Sequence, residues 1–213
     1  MKWLITAGPT REPIDPVRFL SNRSSGKMGY ALAEAAAAAG GEVVLITGPT
    51  RLDPPEGVKT VPVVTSDEMF EAVHGHLHHV DIALLAAAVC DFKPATVASQ
   101  KLKKQDGLPQ IEWMPTRDIL ASLGAIHPRP FFLGGFAAET REVAAHARKK
   151  LEQKGCDLIM ANDVSRTDIG FEGDENELTL FFRDREPLHL PRAPKAALAR
   201  EIVALLTRVR EHR

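Results

Sequence analysis

Cysteine is nearly absent from this sequence: Cys90 and Cys156 are the only two in 213 residues. Far apart along the chain, they supply no disulfide framework and fit a reducing compartment, so the chain is read as cytoplasmic. An excess of one charge is also lacking. The 27 Lys and Arg against 28 Asp and Glu leave a formal net charge of −1, without the basic surplus that marks a nucleic-acid surface. Long apolar runs are missing too. The longest, IALLAAAV, is strand-sized and far below the roughly 18 residues that suggest a membrane span. The opening MKWLITAGPT has no extended apolar stretch of the kind a signal peptide carries. Tyrosine occurs once, as Tyr30, so no Tyr-x-x-x-Lys reductase pair can be assembled.

What is present is an alternation of strand and helix patterns. KWLITAG reads as a strand ending at Gly8, MGYALAEAAAAAGG as an alanine-rich helix stopped by Gly40 and Gly41, and EVVLITGP as a second strand. TSDEMFEAVHGHLHHV opens with Thr65 and, three residues on, Glu68, the signature of a capping box. DIALLAAAV is continuously apolar, as a strand covered on both faces would be. After an interruption the rhythm resumes with strand FFLGGFAA, helix TREVAAHARKKLEQKG and strand DLIMAND. The last helix, KAALAREIVALLTRVR, takes Pro194 in its first turn. This predicts an α/β chain, Rossmann-like and doubly wound, with a mainly parallel sheet and helices on both faces, as a single domain over 1–213. Two hairpin excursions are expected: KLKKQDGLPQIEWMP around Asp106-Gly107, and NELTLFF returning through EPLHLP.

Several motifs bear on chemistry. RFLSNRSSGKMG invites a phosphate-loop reading, but that motif requires glycine where Ser21 stands and Ser or Thr where Met28 stands. A dinucleotide fingerprint fails as well, because a long polar insert with Arg11, Arg18, Asn22 and Arg23 separates the first strand from SSGKMG. Free N–H groups at the start of the following helix still suit an anion. AAAVCDFKP closes the third strand, and ligands of open parallel sheets sit beyond such strand ends. There, small side chains let a base or ribose approach, and Asp91 is either a turn residue or a partner for a cation or ribose hydroxyl. Lys101, Lys103 and Lys104 form either a solvated face or a cationic lid. His74 and His78 have i,i+4 spacing but no carboxylate or cysteine nearby, so they carry no metal reading.

Taken together, ITAGPTREPIDPVRFLSNRSSGKMGYALAEA, AAAVCDFKP with QKLKK, RDIL, GFAAET and ANDVS with GFEGDENELTL resemble the phosphopantothenate–cysteine ligases over nearly the whole chain. The resemblance implies that a nucleoside triphosphate activates the carboxylate of 4′-phosphopantothenate as an acyl-nucleotide and that cysteine then forms the amide. It implies CTP as co-substrate, with ATP the alternative, and Mg²⁺. It further implies a homodimer with its site completed near the subunit boundary, and a phosphopantothenoylcysteine decarboxylase expected on a separate polypeptide. Matched by position, Asn22 is expected to serve the acyl-nucleotide by donating to its carbonyl, Arg18 to meet phosphopantothenate, and Lys101 to act from the lid. Gly8, Ala86, Ala87, Asp118, Phe136, Lys150 and Lys154 are expected around the nucleotide, and Asp91 at the nucleotide and its cation. Three departures stand out. Cys90 replaces a frequent alanine, Pro9 a frequent glycine, and Arg117 a frequent proline, the last bearing on base choice.

Two other readings follow from the residues alone. One is an NAD(P)-dependent reductase, drawn from the strand–helix rhythm. The other is a non-catalytic nucleotide-binding subunit. The apolar LTLFF is the one segment that offers pairing with a second copy.

Overall fold

Apolar alternation explains the architecture. In β1 (Lys2–Ala7), Trp3 and Ile5 turn to one side of the sheet and Leu4 to the other, all fully or nearly buried. The computed structural model describes residues 1–103, 105, 107, 109–139, 141–163 and 173–211. Parallel to β1 lie β4 (Glu42–Thr47) and β6 (Ile82–Leu85), one on each side. β5 (Lys59–Pro62) extends the sheet beyond β4, and β9 (Phe132–Glu139) and β10 (Leu158–Asp163) extend it beyond β6, all parallel. Two antiparallel strands, β11 (Glu175–Phe182) and β12 (Leu188–Pro194), complete the order β12-β11-β10-β9-β6-β1-β4-β5.

Helices α1 (Lys27–Ala38) and α5 (Lys195–Glu211) cover one face, with Leu32, Ala36, Ile202 and Leu206 packed over Ile5, Leu84 and Phe132. On the other face, α2 (Ser66–Gly75), α3 (Ile119–Gly124) and α4 (Val143–Gln153) place Met69, Leu123 and Ala147 over Leu4, Ile46 and Leu133. The doubly wound expectation therefore holds. So do the capping box, in which Thr65 accepts from the Glu68 amide, and the glycine stop of α1. There, Gly41 N–H reaches Ala36 O and Gly40 N–H reaches Ala37 O, both at 2.9 Å, the two bonds of a Schellman ending.

Several expectations change. The second hairpin is no excursion, because β11 pairs with β10 and joins the main sheet. LTLFF consequently has both edges occupied, by β10 and β12, and cannot pair with a second copy. The first hairpin exists with different arms: β7 (Phe92–Pro94) pairs with β8 (Trp113–Pro115), while Lys101–Lys103 is not a strand. Asp106 lies outside the described residues. A further hairpin, β2 (Arg11–Pro13) with β3 (Phe19–Ser21), is folded from the polar insert, whose Thr10, Glu12 and Asp15 are buried. Glu12 Oε1 accepts from the Ser66 amide at 2.9 Å, so this carboxylate caps α2 instead of facing solvent. Finally, α2 ends at Gly75, so His78 does not share its face with His74, which instead lies 3.0 Å from Ser122 Oγ. Pro194 closes β12, one residue ahead of α5.

Candidate active site

A crevice of about 790 Å³ opens over the C-terminal ends of the parallel strands. It forms there because β1 and β6 send their chains to opposite faces: α1 starts on one, and the segment leading to α3 crosses to the other. Close backbone approach makes its floor. Gly29 packs on β1 so tightly that a Cβ would lie 2.5 Å from Ala7 Cβ. Gly26, the N-cap of α1, has φ of 80°. Gly8, φ 72°, lies under this turn, and its carbonyl accepts from Ala88 N at 2.9 Å; it supports the crevice wall without lining it.

Most residues expected at a nucleotide meet here. Asn22, Ala86, Ala87, Asp91, Asp118, Phe136, Lys150 and Lys154 all line the crevice. Asn22 Nδ2 donates to Ala88 O at 3.0 Å and Val89 O at 3.2 Å. Both partners are carbonyls, so the nitrogen must face them. Donating to an acyl carbonyl then means giving up one of these bonds, which the sequence did not show. Lys150 Nζ donates to Phe136 O at 2.7 Å, and burial pulls its pKa below the ordinary lysine value despite Glu139 nearby. Lys154 is the C-cap of α4 and pairs with Asp118 Oδ2. Burial would raise the Asp118 carboxyl, but Lys154 and the Ala121 amide, 2.8 Å from Oδ1, hold it below the carboxylate range. Asp118 is thus at once the cap of α3 and the anchor of Lys154.

Arg18 and Lys101 are not brought to this crevice. They line a separate basic hollow with Leu102, Lys103 and Gln105. Arg117 lines the crevice, but its guanidinium turns to α2, stacking 3.9 Å above the Phe70 ring and reaching Glu71 Oε1 at 2.7 Å. Cys90 is buried, with Sγ 3.7 Å from Thr10 O, and burial pushes its thiol pKa up.

The structure adds residues that the sequence reading passed over. Lys27 and Lys195 occupy the first positions of α1 and α5 and line the same crevice with Asn162 and Asn176. Burial, then the like charge of Lys27, brings the Lys195 pKa down to about 8. Asp174 Oδ1 lies 2.6 Å from Lys27 Nζ, and Lys195 Nζ donates to Gly173 O at 2.6 Å. A signal was available: cations at helix starts oppose the macrodipole, and neither first turn carries an acidic residue. Two such misplacements facing one crevice suit a polyanion. Asp91 is an exposed carboxylate on this wall. A hard cation such as Mg²⁺ takes one or two carboxylates and completes its shell with phosphates and water. Among the described residues no group of three or more His, Cys, Asp or Glu could hold a metal unaided, so the donor set fits a cation arriving with a phosphorylated ligand.

Fold and crevice together define an α/β protein with a cationic crevice at its sheet switch point. Residues 1–209 match the profile of the DNA/pantothenate metabolism flavoprotein C-terminal domain, and the chain belongs to that family. It is 49% identical over 201 residues to the coenzyme A biosynthesis bifunctional protein CoaBC of Bacillus subtilis, covering 94% of this chain and 49% of the relative. Against the Escherichia coli K12 protein of the same name it is 48% identical over 185 residues, 85% of this chain and 45% of the relative. The chain thus spans about half the length of the curated relatives it matches. The crystal structure of a C-terminal domain of CoaBC superposes with a TM-score of 0.85 at 43% identity, covering 100% of this chain and 96% of that one. The fold is shared, at 17% identity, by a Cab2 variant in complex with phosphopantothenate-cysteine, with a TM-score of 0.78, 99% of this chain and 86% of that one.

Proposed function

We propose that the chain is a phosphopantothenate–cysteine ligase that works through an acyl-nucleotide, with CTP as the favoured co-substrate. The carrying observation is the convergence on one crevice of Asn22, Asp91, Asp118, Phe136, Lys150 and Lys154, drawn from five separate stretches of chain. In the first step a carboxylate oxygen of 4′-phosphopantothenate attacks the α-phosphorus and pyrophosphate leaves. In the second, the cysteine amine attacks the acyl carbon, the nucleoside monophosphate leaves with the bond electrons, and a proton is released. No protein nucleophile is required, so the chain contributes position and charge. Phe136 and the small Ala86 and Ala87 give the base and ribose a surface. Lys150 and Lys154 supply cations there, and Lys27 and Lys195 face the polyphosphate. Asp91 would hold Mg²⁺, which supplies charge neutralisation on the phosphates when bound. Asn22 serves the acyl group.

We further read the working unit as a homodimer. Arg18 and Lys101 stand off the crevice, so a second copy is a natural source of the residues that meet phosphopantothenate. Val17, Phe19, Leu20, Phe92, Trp113 and Met114 expose apolar surface on the two small hairpins and the turn of the first, where such contact would be made. A decarboxylase would consume the product. No helix among the described residues is long and apolar enough to cross a membrane, and we place the protein in the cytoplasm.

The test is pyrophosphate release with CTP or ATP and Mg²⁺, with and without 4′-phosphopantothenate, followed by product formation on adding cysteine. Failure with both nucleotides removes the reading. Asn22→Asp should abolish turnover and spare CTP binding. NAD(P)H binding in a fluorescence titration would favour a reductase, and a nucleotide-binding wild type without turnover would favour a non-catalytic subunit.

A further inference from the structure

The polar insert between β1 and α1 buries one carboxylate that the reaction above does not use. Asp15 is 3% exposed, yet it accepts four hydrogen bonds. Oδ1 accepts from the Val17 and Arg18 amides, each at 2.8 Å, which shapes the turn between β2 and β3. Oδ2 accepts from Arg18 Nε at 2.9 Å and from the Leu102 amide at 3.2 Å, 87 residues away in sequence. Arg18 closes the ring by donating Nη2 to Leu102 O. The same segment is tied once more, where Ala98 N donates to Ile14 O at 3.0 Å. Burial alone would raise the Asp15 pKa, but these amides and the Arg18 fork hold it well below the carboxylate range.

We propose that Asp15 is a positioning residue that fixes the Arg18 guanidinium and the root of the Lys101–Lys103 strap to each other, so that their three cations face one anion as a set. This rests on the ligase reading for the identity of that anion, the phosphate end of the acyl substrate. Asp15 acts through its neighbours and touches no reacting atom. One residue with two jobs explains why the insert has to be buried. A solvated loop could carry Arg18, but it could not also register a strap from a distant part of the chain.

Asp15→Asn keeps the shape and replaces one acceptor oxygen by a donor facing N–H groups. Loss of a charge-assisted bond at a binding arginine predicts a rise in KM for 4′-phosphopantothenate of about tenfold to a hundredfold. KM for CTP should stay within about threefold, because the nucleotide crevice does not include Asp15. Trypsin cleavage after Lys101 and Lys103 in the full-length protein should accelerate when both proteins are digested well below the variant's own melting temperature. An unchanged KM for phosphopantothenate, or equal loss in every kinetic parameter through a smaller active fraction, overturns the proposal. Should Asp15→Asn not fold, Arg18→Lys decides. It keeps a cation for the substrate but loses the fork to Asp15 and Leu102, so cleavage at the strap must accelerate. A strap cut at the wild-type rate in that variant equally overturns the proposal. A wild-type protein that forms no phosphopantothenoylcysteine defeats the ligase reading instead, and the trypsin comparison still judges the coupling.

Discussion

Two glycines at the two ends of α1 separate backbone strain from steric exclusion. Gly26 and Gly40 have nearly the same left-handed φ, 80° and 81°. A Cβ at Gly40 meets nothing within 4 Å, whereas at Gly26 it would lie 2.7 Å from Thr50 Cγ2 and 3.3 Å from Gly8 Cα. Thr50 has little room to yield, since its Oγ1 donates to Tyr30 OH at 3.2 Å. Gly40→Ala should therefore show only the conformational penalty, about 1–2 kcal/mol. Gly26→Ala adds overpacking of about 1–3 kcal/mol, for a total of about 2–5 kcal/mol. Urea unfolding with m held common to the variants measures both. The second readout is KM for CTP. It should rise for Gly26→Ala, whose displaced helix start faces the crevice, and stay at the wild-type value for Gly40→Ala. Equal destabilisation of the two variants, within about 0.5 kcal/mol, would refute the steric argument.

Three further outcomes follow from the same geometry. Asp118→Ala loses the α3 cap, about 1 kcal/mol, while Asp118→Asn keeps an acceptor; both release Lys154, so both should shift KM for CTP alike, and a shift in the alanine variant alone would deny the ion pair any role. Lys195, with a pKa near 8 in the fold against 10.5 ordinarily, is charged in both folded and unfolded chains at lower pH, so between pH 8 and 10.5 the unfolded chain binds more protons and stability from this group rises with pH. CTP affinity should move the opposite way, weakening above pH 8 as the cation facing Lys27 and Asp174 is neutralised; Lys195→Arg should flatten that dependence in a KM-versus-pH series. At the other end of the sheet, Arg129 Nη2 meets the buried Asp157 Oδ2 at 2.7 Å. Arg129→Met leaves that carboxylate without its cation and should cost about 3–5 kcal/mol in urea unfolding with KM for CTP unchanged.

Legibility in the sequence followed the range of the forces involved. The parallel strands and long helices were readable because their apolar periodicity is local, and Thr65 and Gly40 announced their caps by chemistry within a few residues. The hairpins were harder. NELTLFF looks the same whether it pairs outward or with β10, and only the parallel neighbour supplied from β9 decides. Phe92–Pro94 finds its partner across a long connection, which no short-range turn signal marks. Buried Asp15 and Glu12 read as solvated charges because their donors, Leu102 and Ser66, are remote in sequence. At the site, strand-end logic located Ala86, Ala87 and Asp91, and the family resemblance supplied Asn22, Lys150 and Lys154. Lys195 was missed, although a lysine opening a helix was itself the anomaly to notice.

The two lysines that open α1 and α5 also make the molecule a reporter on its own ligands. Each stands at the positive end of a helix, and burial together with the nearby Lys27 charge opposes the charging of Lys195. Any polyanion that seats there relieves the repulsion as well as making contacts, and at a hundredfold excess over Kd a ligand adds about 2.7 kcal/mol. For a chain of this length that is a melting shift of roughly 5–10 °C. A thermal-shift panel of CTP, ATP, pyrophosphate and phosphate would then rank these ligands by how well each spans the two cations, before any turnover is measured.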